Sequence, residues 1–315
     1  MTDWRAEQHQ SLLEIRADLY RRIREFMHAR NILEVETPYL SSASIPDPNI
    51  HSLTTRVAAP GGDNIEMYLH TSPEFAMKRL LASGAGSVFQ IARVFRNEES
   101  GSLHQPEFSM LEWYRPGLDY KALMNEVAEL ITCAGLANVA SISYGDLYLK
   151  ETGLNPHTCA TRELQELAAG LGLIDNGRDR SELLDFIYNY ITQAGHQKLN
   201  SFVYDYPVCQ AALANIRQEE VPVAERFELF INGMEIANGF QELTDSDEQR
   251  QRFLHENSVR KSRGLPEVNL DEEFLAVLDS VPQCSGVALG LDRLLMCMTG
   301  SDNINDVIMF PHEAH

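Results

Sequence analysis

The stretch SVFQIARVFRNEESGSLHQPEFSMLEWYR, residues 87–115, contains two largely apolar runs joined by a long polar loop. The first run is SVFQIARVFR and the second is EFSMLEWYR. Both runs are rich in the β-branched and aromatic residues that favour strands, whereas the loop is rich in charged and small residues. The stretch therefore predicts a long β-hairpin, with the second strand returning beside the first.

The side chains of the return strand divide between two faces. Because alternate residues of a strand share a face, Phe108, Met110, Glu112 and Tyr114 are predicted to point the same way. Arg96 ends the preceding strand, from where it can face the same cavity. One interpretation is a site that holds a phosphate, a flat base and an ammonium together. The alternative is an amphipathic hairpin with a solvated loop, and the hairpin alone leaves both open.

A second hairpin is predicted in ERFELFINGMEIANGFQEL, residues 225–243, because Asn232-Gly233 is a strong turn signal. Glu228 and Glu235 fall on its facing strands. Like charges opposed across a ladder are destabilising unless a cation lies between them. Mg²⁺ prefers a couple of carboxylates together with substrate phosphates. The pair thus predicts a Mg²⁺ site, and the alternative is two surface glutamates that never meet.

A third segment, SGVALGLDRLLMCMTG at residues 285–300, predicts a strand, a glycine turn and a helix. Gly286 and Gly290 frame the turn, and Arg293 opens the helix. The alternative is ordinary helix packing around small residues. Neither G-x-x-x-x-G-K-[ST] nor G-x-G-x-x-G occurs in the chain. A nucleotide, if one binds, is therefore not bound by those two motifs.

The remaining segments predict helices around these hairpins. They are a helix near 10–30, a short strand ILEVETPYL stopped by a proline, helices in TSPEFAMKRLLASG and at 119–134, a helical insertion near 140–200, and a polar helix in DSDEQRQRFLHENSVRKSRG. Strands that turn back on their neighbours, with helices around them, are typical of an α+β fold on an antiparallel sheet. Without an evident linker, we expect one domain over residues 1–315.

Composition narrows the class of protein. The chain has 315 residues, 44% of them hydrophobic, which is enough for one large core. Its net charge of −20 argues against extended contact with RNA or DNA, which needs basic surface. The five cysteines form no C-x-x-C pair, which suits a reducing cytosol and argues against a zinc site. No signal peptide or membrane-spanning apolar run is evident, so we expect a cytoplasmic protein without a membrane partner.

In order along the chain, these pieces resemble the catalytic domain of class II aminoacyl-tRNA synthetases. The first helix followed by EVETP resembles motif 1, VFRNEESGSLHQPEFSMLEWY resembles motif 2, and GVALGLDR resembles motif 3. PEFSMLEWY and EIANGFQEL are nearly the signatures of the lysine-specific branch. The resemblance implies the class II catalytic fold, an antiparallel β-sheet flanked by helices, and a homodimer.

The chain begins at the motif 1 helix, whereas lysyl-tRNA synthetases carry an anticodon-binding domain before it. We therefore expect no anticodon-binding domain. TSPEFAMKRLL, FRNEE and EFSMLEWYRP resemble a truncated branch of the family. That branch activates (R)-β-lysine with ATP and transfers it to a lysine side chain of elongation factor P. The resemblance implies a ligase that uses ATP and Mg²⁺, with elongation factor P as protein substrate, (R)-β-lysine or lysine as amino acid, and no tRNA.

The resemblance also implies roles on the ATP side of a site. Arg96 and Arg293 would be the catalytic residues, with Arg96 holding the α-phosphate and the substrate carboxylate. Phe108 and Arg293 would sandwich the adenine ring. Glu228 and Glu235 would bind Mg²⁺ between the phosphates. The other residues implied on the ATP side are Asn97, Glu98, His104, Gln105, Leu229 and Gly290, with Gln105 replacing the asparagine usual in the family.

On the amino-acid side, the family's pattern implies an acidic pocket. Burying an ammonium without partners costs several kcal/mol, so paired acids favour lysine over aspartate. The implied substrate residues are Ser72, Pro73, Glu74, Glu112, Tyr114, Glu235, Asn238 and Glu242. Ala288 stands where lysyl-tRNA synthetases commonly have glycine, and its methyl group is expected to disfavour α-lysine. The alternative is that alanine merely stiffens the backbone.

Two other functions remain open at this point: a small tRNA ligase and a non-catalytic, synthetase-like regulatory module. The missing anticodon-binding domain and the acidic charge disfavour the first. Inactive copies usually lose the motif 2 or motif 3 arginine, and both Arg96 and Arg293 are present, which disfavours the second.

Overall fold

The computed structural model describes residues 7–58, 61–174, 177–194 and 198–312. Its helices are α1 (Glu7–His28), α2 (Glu74–Ala82), α3 (Tyr120–Cys133), α4 (Tyr144–Thr152), α5 (Thr161–Gly170), α6 (Arg180–Asn189), α7 (Ser246–Ser262), α8 (Glu272–Leu275) and α9 (Leu291–Thr299). Its strands are β1 (Leu33–Glu34), β2 (Leu40–Ser41), β3 (Thr54–Ala58), β4 (Asn64–Leu69), β5 (Val88–Phe95), β6 (Glu107–Pro116), β7 (Ala140–Ser143), β8 (Ser201–Pro207), β9 (Ile216–Arg217), β10 (Val223–Ile231), β11 (Met234–Gln241) and β12 (Cys284–Gly290).

Within the described ranges, nine strands form one sheet in the order β1-β5-β6-β12-β11-β10-β8-β7, with β9 paired to β10. The pairs from β5 to β8 are antiparallel, and only β1–β5 and β7–β8, at the two edges, are parallel. Strands β2, β4 and β3 form a separate small sheet. The α+β fold on an antiparallel sheet is therefore confirmed.

Both predicted hairpins are present. β5 and β6 pair antiparallel from Val88↔Tyr114 to Phe95↔Glu107, on either side of the long polar loop. β10 and β11 are joined at Asn232 and Gly233, whose φ angles are 54° and 76°. Positive φ at both positions is the conformation that an Asn-Gly hairpin turn requires, so the local sequence explains the register.

One face of the sheet carries the main hydrophobic core. Leu111 and Trp113 of β6 lie in one buried cluster with Ile23 of α1, Leu123 of α3 and Leu294 of α9. These helices cover that face because each presents an apolar stripe to it.

The opposite face of β6 is left for a cavity. Phe108, Met110 and Glu112 alternate with the core residues and line that cavity, as the strand periodicity predicts. The register also sets Glu112 beside Ala288 of β12, and Ala288 beside Asn238 of β11. Three segments that are distant in the sequence therefore place side chains next to one another in the middle of the sheet.

Two predictions of secondary structure need correction. ILEVETPYL was expected to form one strand, but only Leu33–Glu34 and Leu40–Ser41 pair as strands. The N–H of Val35 still bonds Phe89 O at 2.8 Å, and Pro38, which has no N–H, prevents further pairing.

The segment near 140–200 contains helices α4, α5 and α6 as expected, but it opens with strand β7. β7 pairs with β8, so this segment continues the main sheet. Its helices bury Tyr144, Tyr148 and Ile187 in a second core that includes Tyr206 of β8 and Phe230 of β10. The helices thus pack directly on the strands that carry the second hairpin.

A search of the described helices finds none that combines the length and the apolar character needed to cross a membrane.

Candidate active site

A cavity of about 470 Å³ lies on the open face of the sheet, and most of the predicted site residues meet there. The predicted residues that line it are Ser72, Glu74, Arg96, His104, Gln105, Phe108, Glu112, Glu228, Glu235, Asn238, Gly290 and Arg293. The two hairpins, the β12–α9 turn and the segment that opens α2 bring them together. Their shared location agrees with the predicted site, and their individual roles stay predictions.

Arg96 is placed to receive an anion. Its side chain is three-quarters buried, its guanidinium carbon lies 5.2 Å from the ring centroid of Phe108, and its nearest carboxylate oxygen, on Glu99, is 3.7 Å away. No acceptor for its buried Nε is found among the described residues. A buried donor without a partner is costly, so a ligand oxygen at this position would stabilise it.

Arg293 closes the opposite wall. Its guanidinium donates to Glu235 O at 2.9 Å and to His104 Nε2 at 2.8 Å. Burial and the positive charge of Arg293 lower the pKa of His104 below its ordinary value, which favours the neutral ring. A neutral ring can accept from the guanidinium, which leaves the plane of Arg293 fixed against the cavity.

The two glycines of motif 3, Gly286 and Gly290, differ in the space that surrounds them. A Cβ on Gly286 would lie 2.3 Å from Glu242 Oε1 and 2.4 Å from a ring carbon of Tyr114, so packing requires glycine there. A Cβ on Gly290 would meet nothing closer than 3.9 Å. The protein itself leaves room at Gly290, and the space opens into the cavity.

An acidic pocket surrounds Glu112. Its Oε1 accepts from Ser72 Oγ at 2.6 Å, and its Oε2 accepts from Tyr114 OH at 3.1 Å. Burial, together with the negative charge of Glu74, raises the pKa of Glu112 to about 8. The pocket therefore disfavours a second negative charge and favours an arriving cation.

Glu242 does not face the cavity directly. Its carboxylate lies 2.5 Å from Nζ of Lys78, which also pairs with Glu74 at 2.6 Å. Burial opposes the charge of Lys78, but the carboxylates of Glu242 and Glu74 outweigh it, and the pKa of Lys78 is raised. The contact of Glu242 with the substrate ammonium stays a prediction, and in the structure its carboxylate pairs with Lys78 outside the cavity lining.

Lys78 was missed by the sequence reasoning, although a signal existed. It follows Glu74 by four residues on helix α2, and residues at that spacing are neighbours on a helix surface. Its side chain is fully buried, as is that of Glu242 to within 1%. The pair is therefore part of the floor of the acidic pocket.

Glu228 and Glu235 lie on facing strands, but they are not directly opposed. Glu228 pairs with Asn238 and Glu235 with Phe230, and a bulge interrupts the ladder between Leu229 and Phe230. Oε1 of Glu228 also lies 2.5 Å from Nη2 of Arg226. Burial nevertheless raises the pKa of Glu228 to about 7.

The described residues contain no group of three or more His, Cys, Asp or Glu side chains that could hold a metal by themselves. Two carboxylates bordering one cavity are nevertheless a donor set that fits Mg²⁺ when phosphate oxygens complete its shell. Arg226 competes for Glu228, so a bound cation would have to displace or share that ion pair.

Several predicted residues lie outside the cavity. Asn97 and Glu98 are exposed. Glu98 has a φ of 64°, and its Oε2 lies 3.0 Å from Nδ1 of His51. The neighbouring Glu99 lines the cavity instead. The side chain of Leu229 is buried in the main core, which leaves only its backbone for a role beside adenine. Pro73 precedes α2 and lines a neighbouring cavity of about 290 Å³. Tyr114 lies behind Glu112.

Asp292 also went unnoticed in the sequence. Its carboxylate accepts from Arg16 of α1 at 2.6 Å and from the backbone N–H of Ser109 at 2.6 Å. It is almost fully buried and ties α1, β6 and α9 together directly beneath Arg293. No local sequence pattern indicates this contact, because its partners come from distant segments.

The family model of tRNA synthetases class II (D, K and N) matches residues 1–314. The chain belongs to this family. The three motifs correspond to α1 with the following strands, to the β5–β6 hairpin, and to β12 with α9. The class II fold expected from the sequence is therefore confirmed.

Curated relatives match nearly the full chain. A protein of Pseudoalteromonas translucida (strain TAC 125) is 46% identical over 314 residues, covering 98% of this chain and 97% of the relative. A protein of Pectobacterium carotovorum subsp. carotovorum (strain PC1) is 44% identical over 320 residues, covering 99% and 98%. A protein of Hamiltonella defensa subsp. Acyrthosiphon pisum (strain 5AT) is 42% identical over 322 residues, again covering 99% and 98%. All three relatives are named elongation factor P–(R)-β-lysine ligase.

Proposed function

We propose that this protein activates (R)-β-lysine with ATP as an adenylate and transfers it to a lysine side chain of elongation factor P. The observation that carries the proposal is the match to the named relatives over almost the whole of both chains. The cavity supports it, since Arg96, which is placed to bind an anion, and the acidic pocket around Glu112 border the same space.

The first step joins the substrate carboxylate to the α-phosphate of ATP. Arg96 holds both groups and stabilises the charge that develops on phosphorus, because its unpartnered Nε lies in a buried position. Phe108 and Arg293 hold the adenine, and Gly290 leaves room for the nucleotide backbone. When bound at Glu228 and Glu235, Mg²⁺ supplies charge neutralisation of the phosphates. No residue of the chain forms a covalent intermediate in this scheme.

The charges around Glu112 support a cationic substrate. Glu74 and Glu112 line the cavity, and Glu242 lies behind them, paired with Lys78. Arg96 is the other cation that acts on Glu112. With its acids ionised, the cluster therefore keeps an excess of negative charge. An ammonium group of β-lysine would offset this excess without burying an unpaired charge.

The deciding experiment is the intact mass of elongation factor P after incubation with this protein, ATP and each lysine isomer. We expect a single addition of one lysine residue with (R)-β-lysine. A variant of elongation factor P with its acceptor lysine changed to arginine is the matched control and should stay unmodified. Charging of tRNALys at a comparable rate would favour the tRNA ligase that the family also contains.

The remaining partners follow from the same proposal. We infer a homodimer formed through the motif 1 region, a cytoplasmic location, and no use of tRNA. The net charge of −20 supports the last point, since it repels a polyanion at low ionic strength.

Substrate binding is expected to strengthen with rising pH. Glu112 must be ionised to hold an ammonium, and its pKa is about 8, so affinity should fall about tenfold for each pH unit below that value. Calorimetry near neutral pH, in buffers of different ionisation enthalpy, should show proton release on binding. Glu112→Gln should weaken binding and flatten the pH dependence. Affinity of the wild-type protein that does not change with pH would contradict this assignment.

Ala288→Gly is expected to relax the choice between lysine isomers. The methyl group of Ala288 lies between Glu112 and Asn238 on the cavity side of the sheet. One misplaced methyl is worth roughly 10- to 200-fold in discrimination, so kcat/KM for α-lysine should rise relative to (R)-β-lysine by that order. Ala92→Gly, in the same apolar cluster but outside the cavity lining, is the control. An unchanged isomer ratio in Ala288→Gly would assign selectivity elsewhere.

A further inference from the structure

Helix α7 contributes Glu256 to the lining of the active-site cavity. Arg260 of this helix donates to Asp47 O at 3.2 Å, and Arg263 donates to Asn49 Oδ1 at 2.9 Å. Glu256 precedes Arg260 by one helical turn, so it lies on the same face, toward the loop at residues 45–50. The arginines hold the loop against the helix, which fixes the position of Glu256.

Glu256 is a partly buried carboxylate that none of the roles described so far requires. It lines the same cavity as Arg96 and Glu112, and its Oε2 is buried with no hydrogen-bond partner among the described residues. Its neighbours in that wall, Ala212 and Leu213, carry no titratable group. A buried carboxyl oxygen without a donor destabilises the fold, so packing alone does not account for it.

The charged groups around Glu256 do not neutralise it. Asp47 faces it from the loop and adds a second negative charge. Arg252, one turn earlier, is committed to Ala212 O at 2.7 Å, to Ala214 O at 2.8 Å and to Glu248 at 2.5 Å. Arg260 is turned to Asp47 O and to Pro266 O. This end of the cavity therefore offers a carboxylate in need of a cationic donor.

We propose that Glu256 is the base that takes a proton from the acceptor lysine ammonium as it enters the cavity. This inference rests on the proposed function, because transfer to a lysine requires that its amine be deprotonated before it attacks. The other groups of the cavity have different roles, since Arg96, Phe108 and Arg293 bind ATP, and Glu74 and Glu112 bind the amino acid.

The basicity of Glu256 suits a general base. Burial, and then the charge of Asp47, raise its pKa to about 8, whereas Arg252 opposes the shift only in part. An ordinary glutamate titrates near 4.3 and lysine near 10.4, so the raised value brings base and ammonium much closer. Matched pKa values favour proton transfer in general base catalysis.

The transfer step then balances. The ammonium gives one proton to the Glu256 carboxylate, and the free amine attacks the carbonyl carbon of the aminoacyl adenylate. A C–N bond forms and the C–O bond to phosphate breaks, releasing AMP. The second proton lost from nitrogen as the amide forms goes to the departing phosphate. Glu256 returns its proton to water before the next cycle.

The test compares three reactions of Glu256→Gln. ATP–pyrophosphate exchange with (R)-β-lysine reports adenylate formation. Trapping by hydroxylamine, which is uncharged at neutral pH, reports attack by an amine that needs no base. Transfer to elongation factor P reports attack by an ammonium. We expect the first two to persist and the third to fall by about 10²-fold or more at neutral pH. Asp247→Asn, an exposed carboxylate on the same helix, should leave all three unchanged.

The outcomes separate this inference from the proposed function. Equal loss of exchange and transfer, equal loss of trapping and transfer, or full retention of transfer in Glu256→Gln would each overturn the role of Glu256. Wild-type protein that forms the trapped product but never modifies elongation factor P would overturn the proposed function instead. N-α-acetyl-lysine amide as a small acceptor then tests Glu256 independently of that protein, with the same loss expected.

A pH profile distinguishes a base from a packing residue. At saturating ATP and (R)-β-lysine, where the pH dependence of binding at Glu112 no longer affects the rate, wild-type transfer should rise with pH and level off above about 8, where Glu256 is ionised. The transfer rate of the Gln variant should keep rising with the fraction of free amine, and Glu256→Asp should retain part of the rate.

The folded state of the Gln variant must also be verified. Burial raises the pKa of Glu256, so ionisation of this group lowers the stability of the wild type as pH rises toward about 8. The Gln variant should melt at or above the wild-type temperature at that pH.

Discussion

Arg96→Ala is expected to reduce adenylate formation by about 10²–10³-fold or more, while the protein stays folded. Loss of one preorganised donor to developing charge has an effect of this size, and Arg96 can supply more than one. The loss in stability should be small, because the nearest carboxylate, on Glu99, lies at 3.7 Å, a weak ion pair. ATP–pyrophosphate exchange measures the rate, and circular dichroism verifies the fold.

The controls for this prediction lie on the same hairpin. Arg93→Ala removes an arginine of β5 that is 44% exposed and pairs only loosely with Glu107, so exchange should be normal. Arg96→Lys keeps the charge but loses the bidentate fork, and it should remain strongly impaired. Near-normal exchange by Arg96→Ala with a wild-type spectrum would remove the basis for a synthetase-type first step.

Lys78→Met is expected to destabilise the protein by about 3–5 kcal/mol, because it leaves the buried carboxylate of Glu242 and the partly buried one of Glu74 without their cation. Lys78 is fully buried between Glu74 and Glu242, at 2.6 Å and 2.5 Å. Methionine has a similar length, so cavity formation contributes little. Urea unfolding at neutral pH measures the change. Lys150→Met, whose side chain is 71% exposed, is the matched control and should be near neutral.

A double-mutant cycle tests the cause of that loss. Glu242→Gln removes one of the two acids, so Lys78→Met should cost less in that background than in the wild type. Additive effects of the two substitutions would mean that the pair does not interact as the geometry indicates. Glu242→Gln alone should also weaken capture of the amino acid, since it perturbs the floor beneath Glu112 and Tyr114 rather than a direct contact.

The fold and the location of the site could be predicted from local patterns. Strand periodicity correctly placed Phe108, Met110 and Glu112 on one face, and Asn232-Gly233 correctly marked the second hairpin. These features depend on the alternation of side chains and on turn chemistry, which short segments encode by themselves. The ordered motifs then identified the family before any contact was known.

The charge partners inside the site could not be predicted in this way. Glu242 is held by Lys78, and Glu228 by Arg226, although each was assigned to a ligand. Glu98 turns outward through a left-handed backbone conformation, so its neighbour Glu99 faces the cavity. In each case the sequence supplied the residue type, but the orientation and the partner of the side chain depended on the surrounding structure.

The sequence by itself determined the fold class, the three motifs, and the faces on which their side chains lie. Only the tertiary structure decided the surroundings of each acid: Glu112 lines the cavity, Glu242 pairs with Lys78, and Oε2 of Glu256 is buried without a donor among the described residues. The physical reason is the separation along the chain over which each effect acts. Periodicity and turns act between neighbours in the chain, whereas burial and ion pairing depend on distances that are set when helices and strands from remote segments pack together.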